Sequence, residues 1–155
     1  MMFRHIDTDS YGTTLFARYF AYIESAKSSF PPGVHAFASD AARYELQGQK
    51  TLHDAWLEDL CFRNAYGEHS NAISASEIAL TLRQASGGSI RLLYGGVSGW
   101  TFRGIPERWP DRAVDLLVHE FGMESDCVCA HRIEFDRGVS LEILFRKFSF
   151  EDIAP

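Results

Sequence analysis

The chain has 155 residues and a formal net charge of −6; 46% of its residues are apolar and 14% aromatic. That length fits one domain, and that composition supplies a core and excludes a disordered chain. An acidic chain without a Lys/Arg cluster lacks the concentrated positive charge that phosphate backbones require, so no nucleic-acid partner is expected.

The N-terminus reads Met-Met-Phe-Arg-His-Ile-Asp-Thr-Asp, charged at once and without an apolar signal core, and no apolar run is long enough to span a bilayer. A cytoplasmic protein without a membrane partner is the expectation. Cys61, Cys127 and Cys129 make an odd count and read as reduced thiols.

In chain order, Met2–Ile6 reads as a short strand and Asp7–Thr14 as a polar turn containing Gly12. From Phe16 to Phe30, apolar residues at Phe16, Tyr19, Phe20, Ile23, Ala26 and Phe30 place one stripe on a helix. Pro31-Pro32-Gly33 stops it. Between Asp40 and Leu60 a weak helical pattern runs through Tyr44, Leu52, Trp56 and Leu60, interrupted by Gly48.

The second half changes period. Ile73–Arg83, Ser89–Gly95, Ala113–Phe121, Cys127–Phe135 and Val139–Phe150 are rich in β-branched and aromatic residues, most of them separated by glycine-containing turns. Gly99–Arg112 reads as a long loop. One early helix followed by hairpin-linked strands predicts an α+β domain with an antiparallel sheet packed on that helix.

The run from Ile6-Asp7-Thr8-Asp9-Ser10-Tyr11-Gly12 through Thr13-Thr14-Leu15-Phe16 to Ala17-Arg18-Tyr19-Phe20-Ala21-Tyr22-Ile23-Glu24-Ser25-Ala26-Lys27 resembles the signature of the 4-hydroxybenzoyl-CoA thioesterase family. In general form that signature is D-x-D-x-x-G followed by a helix carrying Y-φ-x-Y-φ-E-x-A, where φ is apolar. The resemblance implies a hot-dog fold, an antiparallel sheet wrapped around one long central helix, with residues 31–71 as an insertion in a single domain. It also implies an acyl thioester of coenzyme A or an acyl carrier protein as substrate, and a homodimer or homotetramer as the assembly. The implied activity is thioester hydrolysis without a cofactor.

The residues support that chemistry independently. A helix N-terminus offers free N–H groups to a developing oxyanion, and a carboxylate just upstream can act as base or nucleophile. By motif position the catalytic carboxylate falls on Asp9 and the carbonyl-polarising N–H on Phe16. Tyr11, Gly12, Thr13, Thr14, Leu15 and Arg18 are the expected substrate contacts.

Competing readings stand beside these. Asp9 could hold a turn as an Asx residue, and Thr13 and Thr14 could cap the helix. Thr13-Thr14-Leu15-Phe16 also replaces the polar His-Val-Asn-Asn type run that many members carry after the glycine. Two further functions follow: dehydration, isomerisation or cyclisation of an acyl thioester with His53 or His69 as acid or base, or a non-catalytic acyl-binding domain. Arg103, Arg108 and Arg112 could form a local basic patch for a carrier. Cys127, Cys129 and His131 read as sheet residues; their spacing is not a usual zinc pattern, so no metal is expected.

Overall fold

The computed structural model describes residues 3–104 and 113–155. Strands β1 (Asp7–Thr8) and β2 (Thr14–Leu15) form a small hairpin ahead of helix α1 (Ala17–Ser25). Helix α2 (Val34–Ala38) and a 3-10 turn (Ala41–Arg43) follow. The rest is antiparallel strand: β3 (Trp56–Tyr66), β4 (Ile73–Arg83), β5 (Ser89–Gly95), β6 (Gly99–Arg103), β7 (Leu116–Ser125), β8 (Val128–Phe135), β9 (Ser140–Phe145) and β10 (Lys147–Ile153). Among the described residues these make two four-stranded sheets, ordered β10-β5-β4-β3 and β6-β9-β8-β7.

The chain is therefore not a hot-dog fold, because among the described residues no long central helix is present. Helix α1 has 9 residues and, at about 1.5 Å per residue, is too short for a sheet to wrap. The apolar stripe persists to Phe30, which is buried, but the helix does not reach it. Ser25 Oγ donates to the Tyr22 carbonyl at 2.9 Å, a local bond that competes with helix propagation, and Ala26 caps the end. The stretch 31–71, expected as an insertion, contains α2, the 3-10 turn and all of β3.

Two corners join the sheets. At one, β5 passes to β6 and β9 passes to β10 with only Arg146 between, and Arg146 N–H donates to the Gly95 carbonyl at 3.0 Å. The expected single strand over Val139–Phe150 is thus two, one in each sheet. Gly96 turns the chain here at φ +57°, and a Cβ on it would lie 3.1 Å from that of Arg146. At the other corner, Trp56 and Asp115 form an isolated bridge. Between the sheets lie Leu80, Leu82, Leu92 and Tyr94 from one and Phe121, Ile133, Ile143 and Phe145 from the other, all buried.

Helix α1 does not fill a sheet; it caps an edge. The Phe121 N–H of β7 donates to Tyr19 Oη at 3.0 Å, and the Met123 N–H donates to Tyr22 Oη at 2.8 Å. Residues two apart on a strand present their N–H groups to the same edge, and residues three apart on a helix share a face. The two tyrosines therefore satisfy an edge that would otherwise be open. The buried carboxylate of Glu120 then gathers the N-terminal segment: it accepts from the backbone N–H groups of Arg4 (3.0 Å), His5 (2.7 Å) and Ile6 (3.0 Å). The expected strand at Met2–Ile6 is instead this anchored segment, with Met2 outside the described residues.

Arg43 ties the helical region to the sheets. Its guanidinium lies 4.5 Å from the Phe37 ring centre and 5.0 Å from that of Phe150, and it pairs with both oxygens of Asp152 at 3.0 and 2.9 Å.

If the tyrosine hydroxyls seal β7, Tyr19→Phe strands the Phe121 N–H and destabilises the protein by about 1–3 kcal/mol, as loss of one partner of a buried pair does. Urea unfolding measures it, with Tyr11→Phe as control, since Tyr11 is 92% exposed. Equal stability of the two variants contradicts the sealing.

Candidate functional site

The N-terminal turn folds as an Asx-stabilised hairpin. Asp9 Oδ1 accepts the N–H groups of Tyr11 at 2.9 Å and Thr13 at 2.8 Å, and the Asp9 N–H donates to the Thr13 carbonyl at 3.0 Å. Gly12, at φ +83°, closes the reversal. Tyr11, Thr13 and Leu15 are exposed and Thr14 is half-buried. Phe16 occupies the N-cap of α1 without a side-chain cap bond, so neither threonine caps the helix. Arg18 pairs with Asp7 at 3.2 Å and also donates to the Arg4 carbonyl. The structure thus brings Asp9, Thr13 and the start of α1 into one short surface segment, with one oxygen of Asp9 committed to the turn.

The other candidates are dispersed. His53 is half-buried beside Asp54 at 3.2 Å, and His69 is exposed in the β3–β4 turn at φ +59°. Arg103 is exposed on β6, while Arg108 and Arg112 lie outside the described residues. Cys127 is exposed and Cys129 buried, with burial pushing the Cys129 thiol up to about 12. Among the described residues no group of three or more His, Cys, Asp or Glu side chains could hold a metal ion.

Two arrangements were not visible in the sequence. The first is a buried polar chain across the core. Tyr94 Oη lies 2.6 Å from His131 Nδ1, and His131 Nε2 lies 3.2 Å from His119 Nδ1. His119 stacks on Tyr44 at 4.4 Å, and Tyr44 Oη lies 2.9 Å from Tyr19 Oη. All five residues are buried. Burial raises Tyr94 and Tyr44 above the ordinary tyrosine range, lowers His131 well below the usual value, and lowers His119 to about 3, with the Arg43 charge adding to the last. Both imidazoles are therefore neutral, and in one orientation Tyr94 O–H donates to His131 Nδ1 and His131 Nε2–H donates to His119 Nδ1, while among the described residues His119 Nε2 has no hydrogen-bond partner.

The second is a groove on the face of the β10-β5-β4-β3 sheet that points away from the core. It has a volume of about 510 Å³. Strand β3 lines it with Asp59, Cys61 and Arg63, β4 with Glu77 and Ala79, β5 with Arg91, Leu93 and Gly95, and β10 with Lys147 and Ser149. Alternation produces this set: Leu60, Ile78, Leu80, Leu92 and Phe148, at intervening positions, pack on the other face. The register aligns Cys61, Ala79, Leu93 and Ser149 in one row and Arg63, Glu77, Gly95 and Lys147 in the next. Gly95 leaves the second row open, since a Cβ there would meet the Lys147 Cβ at 3.2 Å. Among the described residues, Arg63, Arg91 and Lys147 form no ion pair with a carboxylate. Neither Asp9 nor Phe16 lines the groove.

No family model, curated protein or solved structure matches the chain. Among the described residues no helix is long and apolar enough to cross a membrane.

The neutral histidines give the chain a pH-dependent stability. His119 has a folded-state value of about 3 against an ordinary 6.5, so between those limits the unfolded chain takes the proton and the folded chain does not. Stability is full above 6.5 and falls as the pH drops, with His131 acting in the same direction. Urea midpoints should decline from pH 7 to pH 5. His119→Phe should lower the midpoint at pH 7 and flatten that decline; a decline parallel to wild type refutes the assignment.

Proposed function

We propose that the sheet groove binds an anionic amphiphile of the acyl-thioester class. The observation that supports this reading is the juxtaposition of an apolar row, Ala79 and Leu93 beside Cys61, with three cations that form no ion pair among the described residues. The acyl group lies along that row. The phosphates of its carrier meet Arg63, Arg91 and Lys147, which are interleaved with Asp59, Glu77 and, opposite Arg91, Glu151. On a chain of net charge −6 a gathering of three cations on one sheet face is a selective feature. The thioester class is taken from the N-terminal resemblance, which the fold does not share. The chain acts as an acyl-binding protein in this reading.

Titration calorimetry with a medium-chain acyl-CoA, coenzyme A alone and the free fatty acid tests it. Acyl-CoA should bind more tightly than either part and weaken with salt. Arg91→Glu and Gly95→Leu, which remove a cation and fill the floor, should each weaken binding at least tenfold, about 1.4 kcal/mol. Absence of binding, or affinity unchanged in both variants, overturns the reading.

Hydrolysis at the N-terminal turn is the second reading, favoured by one feature: Asp9 is only half-buried, and among the described residues its Oδ2 takes part in no hydrogen bond. A thiol-release assay on the same acyl-CoA separates the two. The binding reading expects no turnover. Turnover that falls about a hundredfold or more in Asp9→Asn, the usual cost of losing a positioned acid–base group, would replace binding with Asp9-assisted hydrolysis.

A further inference from the structure

We infer that two copies of this chain pair edge to edge through β3, antiparallel about a two-fold axis at Cys61, making one continuous eight-stranded sheet. The edge is available. Strand β3 has 11 residues and hydrogen-bonds β4 on one side only; on the other, among the described residues, only Trp56 is bridged, to Asp115. An uncovered strand of this length is a template for another strand, and a closed two-fold pairing removes it. The contrast with β7, whose edge N–H groups go to Tyr19 and Tyr22, is direct.

The sequence of β3 selects both the partner and the register. A two-fold axis normal to the sheet keeps each face on its own side, so the axis must pass through a residue of β3. Centred on Asp59 or on Arg63, it would set like charges against each other. Centred on Leu60, it would oppose Asp59 to Cys61; centred on Phe62, it would oppose Cys61 to Arg63. Centred on Cys61, it opposes Asp59 of one copy to Arg63 of the other, twice by symmetry, and Leu60 to Phe62 on the opposite face. Directly opposed side chains are close enough for each of these pairs to interact. No other centre among these five residues satisfies both charges. Asp59 and Arg63 form no ion pair within the chain among the described residues, and Phe62 is 43% exposed beside Trp100, at a ring separation of 5.7 Å. Both conditions suit a surface completed by its own copy.

Asp59, Cys61 and Arg63 also line the groove, so pairing runs the two grooves together across the axis, engages Arg63, and leaves Arg91 and Lys147 as the groove cations that face an anion. The pairing rests on the β3 edge alone and stands whether or not the groove binds an acyl thioester.

Sedimentation equilibrium and cysteine oxidation test it. The wild type should be a dimer at micromolar concentration. Arg63→Asp and Asp59→Arg, at exposed positions, should each raise the dissociation constant at least about tenfold by opposing like charges. The exchange variant carrying both changes should restore the dimer. Directly opposed strand residues have Cα atoms about 4.5–5.5 Å apart, within disulfide range, so copper-catalysed air oxidation should give a covalent dimer. That product should be lost in Cys61→Ser and kept in Cys127→Ser. A monomeric wild type, a dimer indifferent to the single reversals, an exchange variant that stays monomeric, or a cross-link through Cys127 instead of Cys61 each overturns the pairing.

Discussion

The structure depends on how the two edges of its sandwich are treated, and the decisive group is the carboxylate of Glu120. A buried ionised carboxylate is costly unless its oxygens are fully engaged. Here they collect three successive backbone N–H groups from Arg4 to Ile6, with the Arg132 guanidinium nearby at 3.7 Å. Arg132 is itself shared with Glu124 and with Glu142 at 2.8 Å. The N-terminal segment is thereby held on the outer face of β7 and β8, where the His5 ring stacks on Tyr22 at 3.5 Å. That contact helps set α1 so that Tyr19 and Tyr22 reach the β7 edge. Charge, backbone and helix thus close one half of the molecule together.

The other half is left open. Among the described residues, the β10-β5-β4-β3 sheet has one face in the core and one bare, and its strand β3 has no comparable cap. Both the groove and the proposed two-fold pairing lie there. This division assigns stability to the Glu120 side and recognition to the β3 side.

Parts of this were legible in the sequence for identifiable reasons. Strands β4 and β5 coincide with the alternating runs Ile73–Arg83 and Ser89–Gly95, because each has one buried face and Gly87-Gly88 forms the turn between them. Of Tyr19, Phe20 and Ile23, which the helical stripe places inward, Tyr19 and Ile23 are buried and Phe20 is half-buried. Strand β3 was hidden by its own irregularity. The register shifts between Leu57 and Asp59, which breaks the period of two and leaves Trp56 and Leu60 at a helical spacing. Gly99–Arg103 read as loop because Gly99 and Gly104 flank a strand of only 5 residues. The break at Arg146 is a change of phase: the buried positions run Leu141, Ile143 and Phe145 and resume at Phe148, with Arg146 and Lys147 exposed in succession.

The candidate site was less legible than the fold. Asp9 and Gly12 lie in a hairpin and Phe16 at a helix start, but a short local run says nothing of the sheet around it. The groove residues come from four strands and meet only through register, and the Tyr94–His131–His119 chain joins residues up to 37 positions apart. No local pattern encodes either.

Native-state hydrogen exchange tests most directly the claim that the N-terminal segment and the β7 edge close as one unit. The account predicts that the amides of Arg4, His5, Ile6, Phe121 and Met123 share one opening free energy, equal to that of global unfolding. It is contradicted if the amides of Arg4–Ile6 exchange through local fraying, orders of magnitude faster than those of Phe121 and Met123.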